Sequence, residues 1–284
     1  MTVFVGDPGV DDAVALALLA AEDVDLDLVV ATAGNVGVAA ASTVASRLVQ
    51  ALGTGWEVQA ARASRLLERP QRPGRDLKVH GEDGLGGQVD RLPPAPVPSE
   101  LDGRALAGAE VFACGPLTAV AEAIEIGQHP ARITWMGGGI EGGNTSAHAE
   151  FNAWCDPEAV DAVLASSIPL TIVPLDVTRR VRLDREHLAR WRGSPVGGIL
   201  AADYEAMIGR GDAVPHDAVA AVAWLHPALF GWQEMALRCA TTAGPTRGML
   251  AATTASGRVP SLVATECDVA AVTEWIVGAV ATLR

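Results

Sequence analysis

Val3-Phe4-Val5-Gly6-Asp7-Pro8-Gly9-Val10-Asp11-Asp12 runs directly into an apolar segment, residues 13–21. Val-Phe-Val reads as a short strand, Gly-Asp-Pro-Gly as a turn, and the apolar segment as a helix. A strand that hands over to a helix is half of a βα unit, and open α/β sheets place their ligands at that strand end. Asp7, Asp11 and Asp12 all fall at this junction. A helix N-terminus stabilises acid by about 1 kcal/mol per charge at most, which is too little for three. No Lys or Arg precedes Arg47, while Glu22, Asp23, Asp25 and Asp27 add more negative charge. The simplest counter-charge is a bound metal ion. The nearby donors are hard oxygens without Cys or His, which favours calcium or magnesium over zinc. The competing reading of the same residues is an acidic helix cap with Asp11 or Asp12 in solvent.

Outward from this stretch the pattern repeats. Residues 26–30 form an apolar strand ending at Ala31-Thr32-Ala33-Gly34-Asn35, and residues 39–52 read as a helix closed by Gly53. Strand-like 110–114 leads into Gly115-Pro116-Leu117-Thr118 and a helix to Ile126. Strand 133–136 leads into Gly137-Gly138-Gly139, then Asn144 and Glu150-Phe151-Asn152, with Asp156 as the N-cap of the next helix. Strand 170–173 ends at Pro174-Leu175-Asp176, where Asp176 is a candidate to back up the site. Helical segments follow at 182–191 and 199–207, and His216-Asp217 opens another at 218–225. A strand pair, 234–242 and 248–253, and a helix at 269–283 complete the chain. The expected fold is α/β: an open, mostly parallel, doubly wound, Rossmann-like sheet flanked by helices, with residues 1–284 as one domain. In such a sheet the polar strand ends gather at one edge. Residues 64–100, rich in Arg, Pro, Gly and Asp, read as an excursion from the core. Within them, His80-Gly81-Glu82-Asp83-Gly84-Leu85-Gly86-Gly87 reads first as a surface turn and second as a wall over a site.

Composition narrows the function. The net charge of −13, with one lysine (Lys78) and scattered arginines, argues against a nucleic-acid surface. No apolar run is long and charge-free enough to span a membrane, and the N-terminus has no basic-then-apolar signal pattern, so a cytoplasmic protein is the default. Cys114, Cys155, Cys239 and Cys267 form no CxxC pair, as expected in a reducing compartment. A small, neutral substrate fits this balance.

Taken in order, these motifs resemble the inosine–uridine-preferring nucleoside hydrolase family, from Val3 to about Asp268. Asp7-Pro8-Gly9-Val10-Asp11-Asp12 is similar to its Asp-rich opening, and Ala33-Gly34-Asn35 to its AGN turn. The His80–Gly87 loop, Gly115-Pro116-Leu117-Thr118, Met136-Gly137-Gly138, Asn144 with Glu150-Phe151-Asn152, and His216-Asp217 stand in the family's order. The resemblance implies the nucleoside hydrolase fold and a calcium ion held by Asp7, Asp12, Asp217 and the main-chain carbonyl of Cys114. It implies hydrolysis of the N-glycosidic bond of a ribonucleoside through an oxocarbenium-like transition state. Asp7 would take a proton from water and His216 would serve the leaving base. Asp11, Asn35, His80, Met136, Asn144, Glu150, Phe151, Asn152 and Asp217 would contact substrate. A homodimer or homotetramer is implied as well. His129, His148, His187 and His226 carry no motif and read as structural.

The sequence also departs from the family pattern. Val5 stands where the family has an aspartate, Ala119 where it often has an Asn, and Val44-Ala45 where it has an Asn-Ala pair. They motivate an alternative, a catalytically weakened relative that binds ribosides without cleaving them. A metal phosphohydrolase built on His216-Asp217 would need further upstream His ligands, and no such set is present. Tyr204 is the only tyrosine, and base-contacting aromatics are to be sought in the segment before His216.

Overall fold

The computed structural model describes residues 1–62, 80–211, 213–254 and 257–284. Of the expected excursion at 64–100, residues up to 79 lie outside the described residues. Nine strands form the main sheet: β1 (Thr2–Gly6), β2 (Leu28–Ala31), β3 (Glu57–Ala60), β4 (Ser99–Glu100), β5 (Glu110–Ala113), β6 (Arg132–Met136), β7 (Leu170–Val173), β8 (Phe230–Met235) and β11 (Ser261–Cys267). Their order is β4-β3-β2-β1-β5-β6-β7-β11-β8. Every neighbouring pair is parallel except β11 and β8. The open, mostly parallel α/β sheet expected from the sequence is the fold observed.

From β1 the chain winds one way through β2, β3 and β4, then returns to the other side of β1 with β5, β6 and β7. The order therefore reverses between β1 and β5. A crevice opens outside the carboxyl ends of strands at such a reversal. Asp7 follows β1 and Cys114 follows β5, so both residues sit at the crevice.

Both faces of the sheet are buried, as a parallel sheet requires. Along β1, Phe4 points into one core cluster while Val3 and Val5 point into the other, the period of two that a strand imposes. The Phe4 side is covered by the helices α1 (Val10–Ala21) and α2 (Val38–Leu52), and by Pro195–Ile208, His216–Leu225 and Val269–Thr282. The Val3 and Val5 side is covered by helices Thr118–Glu125 and Pro157–Ala165. Helix α1 is apolar nearly all round and its residues from Ala13 to Leu19 are at most 1% exposed, as expected for a helix packed between others. The His216–Leu225 helix packs beside it and is pinned to the sheet by Trp224. That indole stacks on Phe112 of β5, with 5.2 Å between centroids and 7° between planes, and donates to Glu110 at 2.9 Å.

Several boundaries differ from the sequence reading. The helix expected from 182 begins at Arg185, because Asp184 caps it by accepting from the Glu186 and His187 amides. The expected strand pair is two structures. Leu237–Cys239 (β9) and Leu250–Ala252 (β10) form a small antiparallel hairpin, whereas β8 joins the main sheet against β11. Strands β3, β4 and β11 are absent from the sequence reading. Asp156 caps the Pro157–Ala165 helix as expected, accepting from Ala159.

Candidate active site

A cavity of about 590 Å³ opens at the strand ends between β1 and β5. Asp7, Asp11, Asn35, His80, Cys114, Met136, Asn144, Glu150, Phe151, Asn152, His216 and Asp217 all line it. Asp12 lies behind this lining and is fully buried.

Glycines allow the acids to approach. A Cβ on Gly34 would overlap the Asp7 carboxylate, and one on Gly6 would overlap Asp12 Oδ1. The absence of a side chain at these two motif positions is thus a packing requirement of the carboxylates. Asp7 is 1% exposed, and its Oδ2 accepts from the Asn35 amide at 2.5 Å. Asp12 Oδ2 accepts from the Gly9 amide at 3.1 Å. Its Oδ1 is buried and has no hydrogen-bond partner among the described residues.

Asp11 is held from the far end of the chain. Tyr204 Oη donates to Asp11 Oδ1 at 2.8 Å, and the Asp217 amide donates to Oδ2 at 3.4 Å. Tyr204 is fully buried, packed edge-on against Trp191. The one tyrosine is therefore a brace for Asp11 and lies outside the cavity lining. Glu150 caps the short helix Phe151–Cys155 and accepts from the Gly138, Asn152 and Ala153 amides at 2.7, 2.9 and 3.1 Å. This fixes Asn152, whose Nδ2 donates to the Cys114 carbonyl at 3.2 Å and the Met136 carbonyl at 3.1 Å. A carbonyl oxygen carries two lone pairs, so Cys114 retains one for another partner.

Two histidines face the acids. The His80 loop is both the expected turn and a wall of the cavity. Its Nδ1 accepts from the Val10 amide at 3.1 Å, so the proton sits on Nε2. Asp83 shapes the loop, accepting from the Leu85, Gly87 and Val89 amides. His216 Nδ1 is hydrogen-bonded to Thr178 Oγ1 at 2.7 Å. Burial lowers His80 to about 4. Burial, with the Arg179 and Arg182 charges added, lowers His216 to about 4. Both rings are neutral at neutral pH.

The acids show the opposite shift. Burial raises Asp11 and Asp12 to about 7. Burial, with repulsion from neighbouring carboxylates, raises Asp7 and Asp217 well above the ordinary range. Burial also raises Glu150. Asp11 is half-buried and the others are buried, and none of these carboxylates makes an ion pair with Lys or Arg among the described residues.

A divalent cation fits this donor set. The set consists of hard oxygens, it is short of positive charge, and one buried carboxylate oxygen, Asp12 Oδ1, is without a partner. Among the described residues, no group of three or more His, Cys, Asp or Glu side chains is by itself placed to hold a metal ion.

The family model for the inosine-uridine preferring nucleoside hydrolases matches residues 3–274. The chain belongs to that family. This nucleoside hydrolase is 35% identical over 221 residues to the pyrimidine-specific ribonucleoside hydrolase RihA of Citrobacter koseri, which covers 69% of this chain and 67% of that one. It is 32% identical over 271 residues, 86% of each chain, to an uncharacterised protein of Schizosaccharomyces pombe. Among solved structures it superimposes on a plant nucleoside hydrolase with a TM-score of 0.88, 25% identity and 99% coverage of both chains. The Bacillus anthracis inosine-uridine preferring nucleoside hydrolase shares the fold, with a TM-score of 0.81, 22% identity and 99% coverage of both.

The nucleoside hydrolase cavity also holds residues that the sequence reading missed. Arg179, Arg182 and Arg210 stand on its lining with Leu175, Met207 and Val214. The run Thr178-Arg179-Arg180-Val181-Arg182, basic in an acidic chain, was the available signal. Asp176 does not reach the lining. It accepts from the Ile140 and Glu141 amides at 2.8 Å each and so braces the loop after β6. His187 belongs to a helix cap and His226 stacks on Trp275, and neither lines the cavity.

Proposed function

We propose that this nucleoside hydrolase catalyses calcium-dependent hydrolysis of the N-glycosidic bond of ribonucleosides, releasing ribose and free base. The observation that carries the reading is the partnerless Asp12 Oδ1 within a buried set of carboxylates at the sheet's reversal point. Asp7, Asp12, Asp217 and the Cys114 carbonyl would hold the ion. When bound, calcium supplies the positive charge that eases deprotonation of a water near neutral pH.

The chain's own residues do the rest. Asn35 occupies Asp7 Oδ2, which leaves Oδ1 to accept the proton of the attacking water. Asp11, Asn144, Glu150, Asn152 and Asp217 clamp the ribose hydroxyls, so that binding energy acts at the anomeric carbon. The C1′–N bond breaks with its electron pair passing to the base. His216, held through Nδ1 by Thr178, presents Nε2 to that base. His80, Met136 and Phe151 complete the wall around the nucleoside. Val5, Val44 and Ala119, where the family pattern is broken, are buried in the hydrophobic core. None of the three lines the cavity, so the residues proposed to touch ion and substrate are all present, which favours an active enzyme over a riboside-binding relative. A homodimer or homotetramer in the cytoplasm belongs to the same proposal, and light scattering of the purified protein tests the assembly.

The deciding experiment is release of free ribose from inosine, uridine, cytidine and adenosine, with calcium and with chelator, for wild type and Asp7→Ala. Calcium-dependent release that is lost in the variant supports the proposal. Calcium binding without release from any nucleoside refutes it.

A further inference from the structure

The cavity is acidic at its floor and basic at its mouth, in a chain whose net charge is −13. Arg179 and Arg182 are both exposed at that mouth. Arg179 Nη2 donates to the Gly143 carbonyl, and Arg182 Nη1 donates to the Gly211 carbonyl at 3.0 Å. A carbonyl occupies one of five guanidinium N–H groups and neutralises none of the charge. Elsewhere Arg190, Arg192, Arg247 and Arg258 each pair with a carboxylate. Among the described residues, Arg179 and Arg182 have no such pair. Two positive charges are thus held at the rim by neutral acceptors, next to His216 and opposite the acids.

We propose that Arg179 and Arg182 recognise a negatively charged base, so that the enzyme cleaves ribosides of acidic bases in their anionic form. The inference rests on the hydrolase reading and adds a substrate class to it. The acidic floor repels an anion, so ribose occupies the floor and the charged ring turns to the mouth. Met207 and Val214, on the same lining, offer apolar contact to the ring face. As the C1′–N bond breaks, its electron pair adds negative charge to a ring that is already anionic. The two guanidiniums offset that charge, Nε2 of the neutral His216 ring offers the base a hydrogen bond, and the free base departs after taking up a proton from water. Because both arginines are exposed, each contributes a modest, salt-dependent amount.

The test is kcat/KM on xanthosine, whose dioxopurine ring loses a proton near neutral pH, against inosine, whose ring stays neutral there. Wild type, Arg179→Gln, Arg182→Gln, the double Gln variant and Arg179→Lys are compared from pH 5 to 8.5. In wild type, activity on xanthosine persists through the pH range in which the base ionises. In the double variant the loss on xanthosine exceeds that on inosine by about tenfold above this range, the scale of two exposed ion pairs. The excess disappears below it and shrinks in high salt, and Arg179→Lys recovers part of it. Equal losses on the two substrates, or an excess independent of pH, overturn the proposal. Arginine-dependent cleavage of uridine 5′-monophosphate without a xanthosine effect assigns the charge to the 5′ end and overturns it as well. If wild type cleaves no riboside, the hydrolase reading fails separately, and calorimetric binding at pH 8 then decides. Xanthosine bound about tenfold more tightly than inosine by wild type alone upholds the charge recognition, and equal binding overturns it.

Discussion

Asp203 offers a quantitative check on how the cavity wall is fastened. It lies on the Pro195–Ile208 helix, is 5% exposed, and its Oδ1 accepts from Gln88 Nε2 at 2.5 Å. Gln88 in turn accepts from Arg91, and Asp203 Oδ2 has no partner among the described residues. This contact ties the His80 loop to the helix that carries Tyr204. Burial, with repulsion from Asp83 and partial relief from the Gln88 hydrogen bond and Arg91, raises Asp203 from 3.8 to about 7. A carboxyl whose folded value is raised stabilises the protein fully below its unfolded value and loses that contribution as pH climbs through the folded one. At roughly 1.4 kcal/mol per pH unit, the full loss is about 4 kcal/mol. Roughly 2–3 kcal/mol of it falls between pH 5 and pH 8. Asp203→Asn keeps the acceptor for Gln88 and removes the titration. The variant therefore gains on wild type by roughly 2–3 kcal/mol over this interval, or about 5 °C in Tm at roughly 2 °C per kcal/mol. The assay is thermal unfolding of both proteins at pH 5 and pH 8 in saturating calcium, read as the change in their Tm difference. A difference that is the same at both pH values, or one that moves in favour of wild type, refutes the assignment of a buried, proton-binding Asp203.

Other predictions follow from the same geometry. Gly34→Ala places a methyl group on the Asp7 carboxylate. It should lower kcat about 100-fold, as displacement of a reacting group by about 1 Å does; ribose-release kinetics near wild type would exclude the overlap. Calcium at 100 times its Kd should stabilise wild type by about 2.7 kcal/mol, and Asp12→Ala should abolish the Tm rise. Tyr204→Phe removes the 2.8 Å hydrogen bond to Asp11 while keeping the ring against Trp191. A hydrogen bond to a charged group is worth about 1.5–3 kcal/mol, so kcat/KM should fall at least tenfold while the far-ultraviolet spectrum is retained.

What could be read from the sequence follows from how local each constraint is. Asp7, Asp11 and Asp12 share one turn, and the glycines at 6 and 34 are required by the carboxylates they face, so the motif carries its own geometry. The central strands are apolar because both their faces are buried, which makes β1, β5, β6 and β7 evident in the residues themselves. The strands that were missed lack that signal. In β3, Glu57 and Gln59 interrupt the apolar run. In β11, Thr265 and Glu266 do so, beside a register shift against β8. Pairing with a neighbour, rather than local composition, makes these segments strands.

The unread part of the site has the same origin at longer range. Tyr204 braces Asp11 across 193 residues, and Thr178 meets His216 across 38. No spacing rule links such positions, because only the packing of α1 against the Pro195–Ile208 and His216–Leu225 helices brings them together. The mouth arginines belong to this class, since Arg179 and Arg182 acquire meaning only beside His216. The acidic floor is thus specified by short motifs, whereas the surface proposed to meet the base is assembled from distant helix ends. Substitutions at the mouth can therefore alter base preference while leaving the floor's motifs intact. On the proposed reading, substrate choice in this enzyme turns on residues that a motif comparison does not examine, and it has to be measured on the mouth itself.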